Sequence, residues 1–399
     1  MKKMLSLAAM FAVLSYASPA SAELKIGGDA STRLRGEFNN SETAAGVKTT
    51  NSDDLKFQYK VRLKASADLG DGYFFKTLVA NEELVGGSSP GWATVAGNNT
   101  EKFQLEVSNF YFGRNMDNSH YQVGRLPLNS LNNPIFDLTL YPVPGIINSL
   151  GTKVYAVDVP VYQYNYDRVF GVNYGTKVGN GDLNATLVVL DNNSIKENTS
   201  VTTGNGLFND GYLLHLTYKT NIGNVTVEPQ ALITLTDAQG PTYQKVSPNT
   251  FGANATIPAG KSKIGLSGFY TICKDSKGTT ATTYDPTKTT QDNSTISSST
   301  PANVDYNGYL FRVKGESGPV TAWVDYNHTT DKSSGSGLTE KKYNNLFVWA
   351  QYNFKVHESA TGTFSLIPTV RYRASAQDAT DGTTRNNQLR TELYATVTF

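Results

Sequence analysis

From Leu55 to Leu69 the chain alternates without a break. Leu55, Phe57, Tyr59, Val61, Leu63, Ala65, Ala67 and Leu69 are apolar, and Lys56, Gln58, Lys60, Arg62, Lys64, Ser66 and Asp68 stand between them. A period of two over 15 residues is a β-strand with one apolar face and one polar face. A helix would scatter the same residues around its circumference. The strand is also long, since soluble sheets are built from strands of about five or six residues. Shorter stretches repeat the pattern at Tyr212, Leu214, Leu216 and Tyr218, and at Leu346, Val348, Ala350, Tyr352, Phe354 and Val356. In the last strand Leu389, Leu393, Ala395, Val397 and Phe399 share one face, and Arg390, Glu392, Tyr394, Thr396 and Thr398 the other.

The breaks between these stretches fall into two classes that alternate. Short ones include Asp71-Gly72, 115–119, 178–182, 221–224, 257–261, 316–318 and 357–362. Long ones fall at 39–53, 84–100, 127–161, 192–209, 274–304, 331–342 and 375–387; a briefer member of this class is 237–242. Hairpins with short turns at one end and long loops at the other are the layout of an outer-membrane barrel. The spacing predicts an all-β, closed antiparallel transmembrane barrel of about 16 strands, within a range of about 14–18. The strands fall at 25–38, 54–69, 73–83, 101–114, 119–126, 162–176, 182–191, 210–220, 224–236, 243–255, 262–273, 305–315, 319–330, 343–356, 362–374 and 388–399. Lipid cannot satisfy backbone N–H and C=O groups, so a sheet that crosses it must close on itself. The apolar face then meets hydrocarbon and the polar face a lumen. Phe38, Tyr73, Tyr218, Tyr326, Phe364 and Tyr372, near strand ends, are expected in the interfacial girdles.

Composition removes other classes. Past the N-terminus no apolar run approaches the roughly 18 residues of a spanning helix. A formal charge of +1 disfavours a nucleic-acid partner. With 23 Tyr and 18 Phe, the chain has much to gain by burial, which disfavours disorder. One cysteine, Cys273, excludes an intrachain disulfide framework. Residues 1–22 read as a signal peptide: Lys2 and Lys3, an apolar stretch from Met4 to Ala17, and a small-x-small site at Ala20 and Ala22. The barrel domain is therefore expected over 23–399, in the bacterial outer membrane, surrounded by its lipid and lipopolysaccharide.

The polar face carries a lopsided charge. Arg33, Arg35, Lys56, Lys60, Arg62 and Lys64 lie on it in the first two strands, and Arg371, Arg373 and Arg390 in the last two. Closure makes these four strands neighbours, so nine cations share one wall with Asp29, Glu37, Asp68 and Glu392. Such a wall would favour anions weakly.

Several segments resemble the general, trimeric porins of Gram-negative outer membranes: the signal peptide, the last strand ending in Phe399, and the hairpin Asn109-Phe110-Tyr111-Phe112-Gly113 to His120-Tyr121-Gln122-Val123-Gly124-Arg125. That resemblance implies a homotrimer, and recognition of the C-terminal strand by the barrel-assembly machinery. It also implies a constriction loop over 126–161 folded into the lumen, with Arg125 at its base and Asp137 facing the basic wall. The short acidic-aromatic motif often found in that loop is missing.

The four histidines, His120, His215, His328 and His357, have no nucleophile motif near them, and no phosphate-cradling loop or zinc spacing occurs. No enzyme activity, metal or cofactor is expected. The reading is a passive pore for small hydrophilic solutes and ions. Its alternatives are a channel selective for phosphate, organic acids or sugars, and a structural or adhesive barrel without transport. Trp323 and Trp349 are candidates for the inner face.

Overall fold

The computed structural model describes residues 23–81, 92–95, 105–127, 133–135, 168–191, 211–235, 238–239, 245–246, 249–280, 301–332, 340–380 and 382–399. The signal segment 1–22 lies outside them. Sixteen strands build the barrel wall. They are β1 (Glu23–Glu42), β2 (Lys48–Gly70), β3 (Tyr73–Ala80), β4 (Glu106–Asn115), β5 (Ser119–Pro127), β6 (Arg168–Val178), β7 (Gly181–Asp191) and β8 (Gly211–Ile222). The second half comprises β9 (Val225–Thr234), β10 (Asn249–Ala259), β11 (Ser262–Thr280), β12 (Pro301–Ser317), β13 (Val320–Asp331), β14 (Lys341–Tyr352 and Phe354–Ser359), β15 (Gly362–Ala379) and β16 (Gly382–Thr398).

Each strand pairs antiparallel with the next. The last pairs with the first from Asp29↔Thr398 to Glu42↔Arg385. Gly28 N donates to Phe399 O at 2.8 Å, and Phe399 N to Gly28 O at 3.1 Å, completing the ring. Each of the sixteen strands thus has a ladder partner on both sides, the closure that a membrane interior requires.

The seven expected short breaks lie at or beside turns between strands. The short turns occupy 71–72, 116–118, 179–180, 223–224, 260–261, 318–319 and 360–361. At the first of them Asp71 and Gly72 take φ of 51° and 79°, the two-residue hairpin geometry that glycine permits. A Cβ at Gly72 would stand 2.0 Å from Asn115 O, so the turn also packs against the neighbouring hairpin.

The strands run further than the alternation indicates. β1 and β2 stay paired to Glu42↔Lys48, which shrinks the expected loop 39–53 to 43–47. β15 and β16 stay paired to Ala379↔Gly382, and the expected loop 375–387 becomes 380–381. These extensions are polar on both faces, as at Asn39, Asn40 and Ser41. A strand wet on both sides has no apolar period to read. The expected strand 243–255 is displaced to 249–259 and runs through Pro258. Residues 245–246 pair instead with 238–239 in a separate two-stranded ladder.

Prolines explain two irregularities. The β8–β9 ladder passes from Val227↔Thr220 to Gln230↔Thr217, a gap at Pro229, which has no N–H to donate. The β14–β15 ladder skips from Gln351↔Thr369 to Phe354↔Leu366, a gap at Pro368. There β14 is interrupted at Asn353, whose N–H bonds Pro319 O instead.

The outer face is apolar and exposed around the circumference. It includes Leu34 and Leu55 on β1 and β2, Phe112 and Val172 on β4 and β6, Leu266 and Val313 on β11 and β12, and Val370 and Leu393 on β15 and β16. Large exposed apolar surface of this extent has lipid as its medium. Phe38, Tyr73, Tyr326 and Tyr372 of the expected girdles are among these exposed side chains.

Candidate functional site: the inner wall

Because side chains alternate, the register fixes what faces inward. Across β1–β2 the inward pairs are Ser31↔Lys60, Arg33↔Gln58 and Arg35↔Lys56, with Asp29↔Arg62 beside them. Across β16–β1 they are Tyr394↔Arg33, Glu392↔Arg35 and Arg390↔Glu37. Across β15–β16 they are Arg371↔Arg390 and Arg373↔Gln388. The nine cations therefore occupy four adjacent strands on one face.

They are not equivalent. Glu392 sits at the centre, with Arg35 Nε at 2.5 Å, Arg371 Nε at 2.8 Å and Arg33 Nη1 at 3.2 Å. Its Oε2, which takes Arg371, also accepts from the Tyr394 hydroxyl, while Arg35 and Arg33 meet Oε1. Glu37 binds Arg390 at 3.4 Å and Lys56 at 3.7 Å, and accepts from Gln388 Nε2 at 2.8 Å. Asp29 takes Arg62 at 2.8 Å and Lys64 at 4.0 Å. A carboxylate shared by several guanidiniums removes the like-charge repulsion that the sequence pattern implies. Arg33 and Arg35 are sealed in the wall, their side chains 1% and 0% exposed, whereas those of Arg62 and Lys64 are 37% and 60% exposed. Polarity alone does not separate these two groups, which differ in depth: Arg62 remains partly exposed although its rung partner is the acid Asp29, whereas Arg33 is buried between Gln58 and Tyr394.

Trp92 belongs to the site and was not singled out by the alternation. Residues 93–94 add a short strand to β2, Tyr59↔Ala93 and Gln58↔Thr94, which continues the line of β3. The Trp92 ring lies 4.1 Å from the Arg33 guanidinium and 4.8 Å from the Lys60 ammonium, and meets Tyr394 edge-on at 5.3 Å.

Elsewhere on the inner wall an apolar cluster stands among polar side chains, which the alternation of the sequence does not indicate. Val169, Val188, Leu213, Leu232, Phe269, Leu310, Trp323, Phe347 and Trp349 form one buried cluster from β6 to β14. Trp323 and Trp349 do face inward, and they stack at 4.0 Å with 24° between planes. Both are buried, as is the bidentate pair Arg312–Asp325 beside them. Ile135, from the expected loop 126–161, is fully buried in this cluster. Asn133 Nδ2 donates to Gln230 Oε1 at 2.9 Å, and Asn254 Nδ2 to Asn133 Oδ1 at 3.2 Å. The rest of that loop, including Asp137, lies outside the described residues, except that Leu126 and Pro127 belong to β5.

Arg125 is corrected. Its register partners are Phe110 on β4 and Phe170 on β6, both exposed on the outer face. Its Nη1 donates to Ser108 O at 2.8 Å and its guanidinium lies 5.6 Å from the Phe170 ring. Parity turns it outward, because Gly124 pairs with Tyr111 and Gly171 on the inner side. His215 does face inward, bonding Gln230 at 2.9 Å.

No family model matches the sequence. No curated protein matches it. Solved structures do. The anion-selective porin from Comamonas acidovorans superposes with a TM-score of 0.52 at 10% identity, covering 94% of this chain and 100% of that one. The outer membrane channel DcaP of Acinetobacter baumannii gives 0.50 at 14% identity, covering 96% and 99%. The fold is that of the outer-membrane porins and channels. The barrel thus resembles outer-membrane proteins of Gram-negative bacteria over nearly its whole length, and at these identities the likeness is one of fold.

Proposed function

We propose that the protein is a water-filled pore through which small hydrophilic solutes and ions diffuse across the outer membrane, with a weak preference for anions. The observation that carries this reading is the inner wall, where nine cations share a face with three braced carboxylates, and where the side chains of Arg62 and Lys64 remain 37% and 60% exposed. In such a pore width and wall charge decide what passes. Arg62, Lys64, Arg371 and Arg373 act on permeating anions; Arg33, Arg35 and Arg390 hold the wall in shape. Lys60 belongs to the same face.

The loop over 126–161 is the constriction in this account. Its support is the anchorage of Asn133 and Ile135 on the inner wall. Asp137 then faces the cations and sets a transverse field. Residues 1–22 direct export. Phe399 ends the strand that the assembly machinery reads, and three copies assemble in lipid and lipopolysaccharide.

Liposome swelling tests the transport claim. Vesicles carrying the protein should swell in arabinose faster than in larger sugars, with the rate falling steadily with size. No swelling with a folded barrel would favour a structural or adhesive role instead, and saturation by one anionic solute would favour a substrate-selective channel.

A further inference from the structure

We infer that Trp92 sets the selectivity of the pore by covering Lys60 on the basic wall. The inference rests on the channel reading above. Lys60 differs from its neighbours. Among the described residues Arg62 and Lys64 pair with Asp29, and Lys56 with Glu37 and Asp54, whereas Lys60 has no ion pair. Its ammonium instead lies 4.8 Å from the Trp92 ring centre, and the same ring lies 4.1 Å from the guanidinium of Arg33.

The geometry that holds the ring is built into the wall. Val95 N donates to Phe57 O at 3.0 Å, and Gln58 Nε2 to Thr94 Oγ1 at 2.8 Å. Arg33 Nε donates to Gln58 Oε1 at 2.8 Å, so the strand bearing Trp92 is tied to the buried arginine it covers. The register places Thr94 opposite Gln58, and hence Trp92 on the inward side with Lys60. Trp92 is itself only 8% exposed, packed against Tyr394 and the two cations.

An indole face attracts a cation through its quadrupole, and the attraction grows as water is excluded. Here it satisfies an ammonium of the basic wall that has no ion pair among the described residues. The ring also stands between that ammonium and permeating ions. At about 1 M salt the screening length is about 3 Å, so an anion must come close to a cation to feel it. The anion preference is then set by Arg62, Lys64, Arg371 and Arg373, and Lys60 is held in reserve beneath Trp92.

Two readouts test this on the full-length protein. The first needs no current. A water-soluble amine-modifying reagent, followed by peptide mass spectrometry, should label Lys60 about fivefold more slowly than Lys64 in the wild type, and at a similar rate in Trp92→Ala. The second is the reversal potential in a KCl gradient near 1 M. Trp92→Ala should raise the chloride-to-potassium permeability ratio about twofold. Lys60→Met should change it far less in the wild-type background than in the Trp92→Ala background, where it should return the ratio towards the wild-type value. If Trp92→Ala fails to assemble, Trp92→Leu carries the same comparisons. Equal labelling of Lys60 and Lys64 in the wild type overturns the inference, as does an equal loss of selectivity from Lys60→Met in both backgrounds. A wild type that conducts nothing overturns the channel reading, while the labelling still decides the shielding.

Discussion

Glu392 is the residue whose loss should cost the barrel most for the smallest change in shape. Its carboxylate meets Arg35 at 2.5 Å, Arg371 at 2.8 Å and Arg33 at 3.2 Å, and it is fully buried with Arg35. Glu392→Gln keeps the volume and an acceptor oxygen but removes the charge. Breaking a buried pair from one side costs about 3–5 kcal/mol, because the partner charge is left without compensation. Three guanidiniums share this acid, but Arg371 is 20% exposed and can recover water, whereas Arg33 and Arg35 cannot. The loss should therefore lie within that range rather than multiply with the number of partners. The comparison is Glu358→Gln, which breaks the exposed Lys355–Glu358 pair, 55% and 59% exposed. That change should cost less than about 1 kcal/mol. Urea unfolding in lipid vesicles, followed by tryptophan emission and by the heat-dependent shift in gel mobility, measures both. A loss below about 1 kcal/mol for Glu392→Gln, equal to that of Glu358→Gln, would refute the claim that this acid braces the wall.

Other outcomes follow from the same wall. Val313→Lys on the exposed outer face should destabilise the inserted barrel by about 2–4 kcal/mol, read in the same unfolding assay, if that face meets the middle of the bilayer. Neutralising Arg62 and Lys64 together should lower the anion preference in a KCl gradient, and because it strands the buried Asp29 carboxylate, 5% exposed, it should also cost about 3–5 kcal/mol of stability in the unfolding assay. Ile135→Asp places a charge in the buried inner cluster and should release the loop, seen as a larger and noisier single-channel conductance. Gly72→Val forces a branched side chain onto φ of 79° and against Asn115 O, and should cost at least about 1–3 kcal/mol of stability.

The barrel itself was legible because lipid and water impose opposite demands on alternate residues. Leu55 to Leu69 carries that demand on its surface, and the register places its two faces as the alternation requires. The strand ends were not legible where Asn39 to Ser41, or Asn386 and Asn387, stand in water on both sides. The basic wall was legible as a set of residues, since closure makes β16 and β1 neighbours. Its internal order was not, because Arg33 and Arg62 look alike in sequence and differ only in depth and partner. The apolar inner wall escaped notice for a related reason. Leu310 and Phe347 lie on the inner face while Phe311 and Leu346 beside them lie on the outer, so both parities are apolar and the period fades. Arg125 was misassigned because the resemblance supplied a role and the parity of β5, fixed by its partners Phe110 and Phe170, assigns another.

The central claim is that the closed wall surrounds a continuous aqueous path. Single-channel recording of the purified protein in a planar lipid bilayer addresses it directly. The account predicts stable open steps whose conductance rises in proportion to KCl concentration and whose reversal potential in a gradient has the sign of weak anion preference. A folded, membrane-inserted protein that leaves the bilayer electrically silent, or one that selects clearly for potassium, would contradict it.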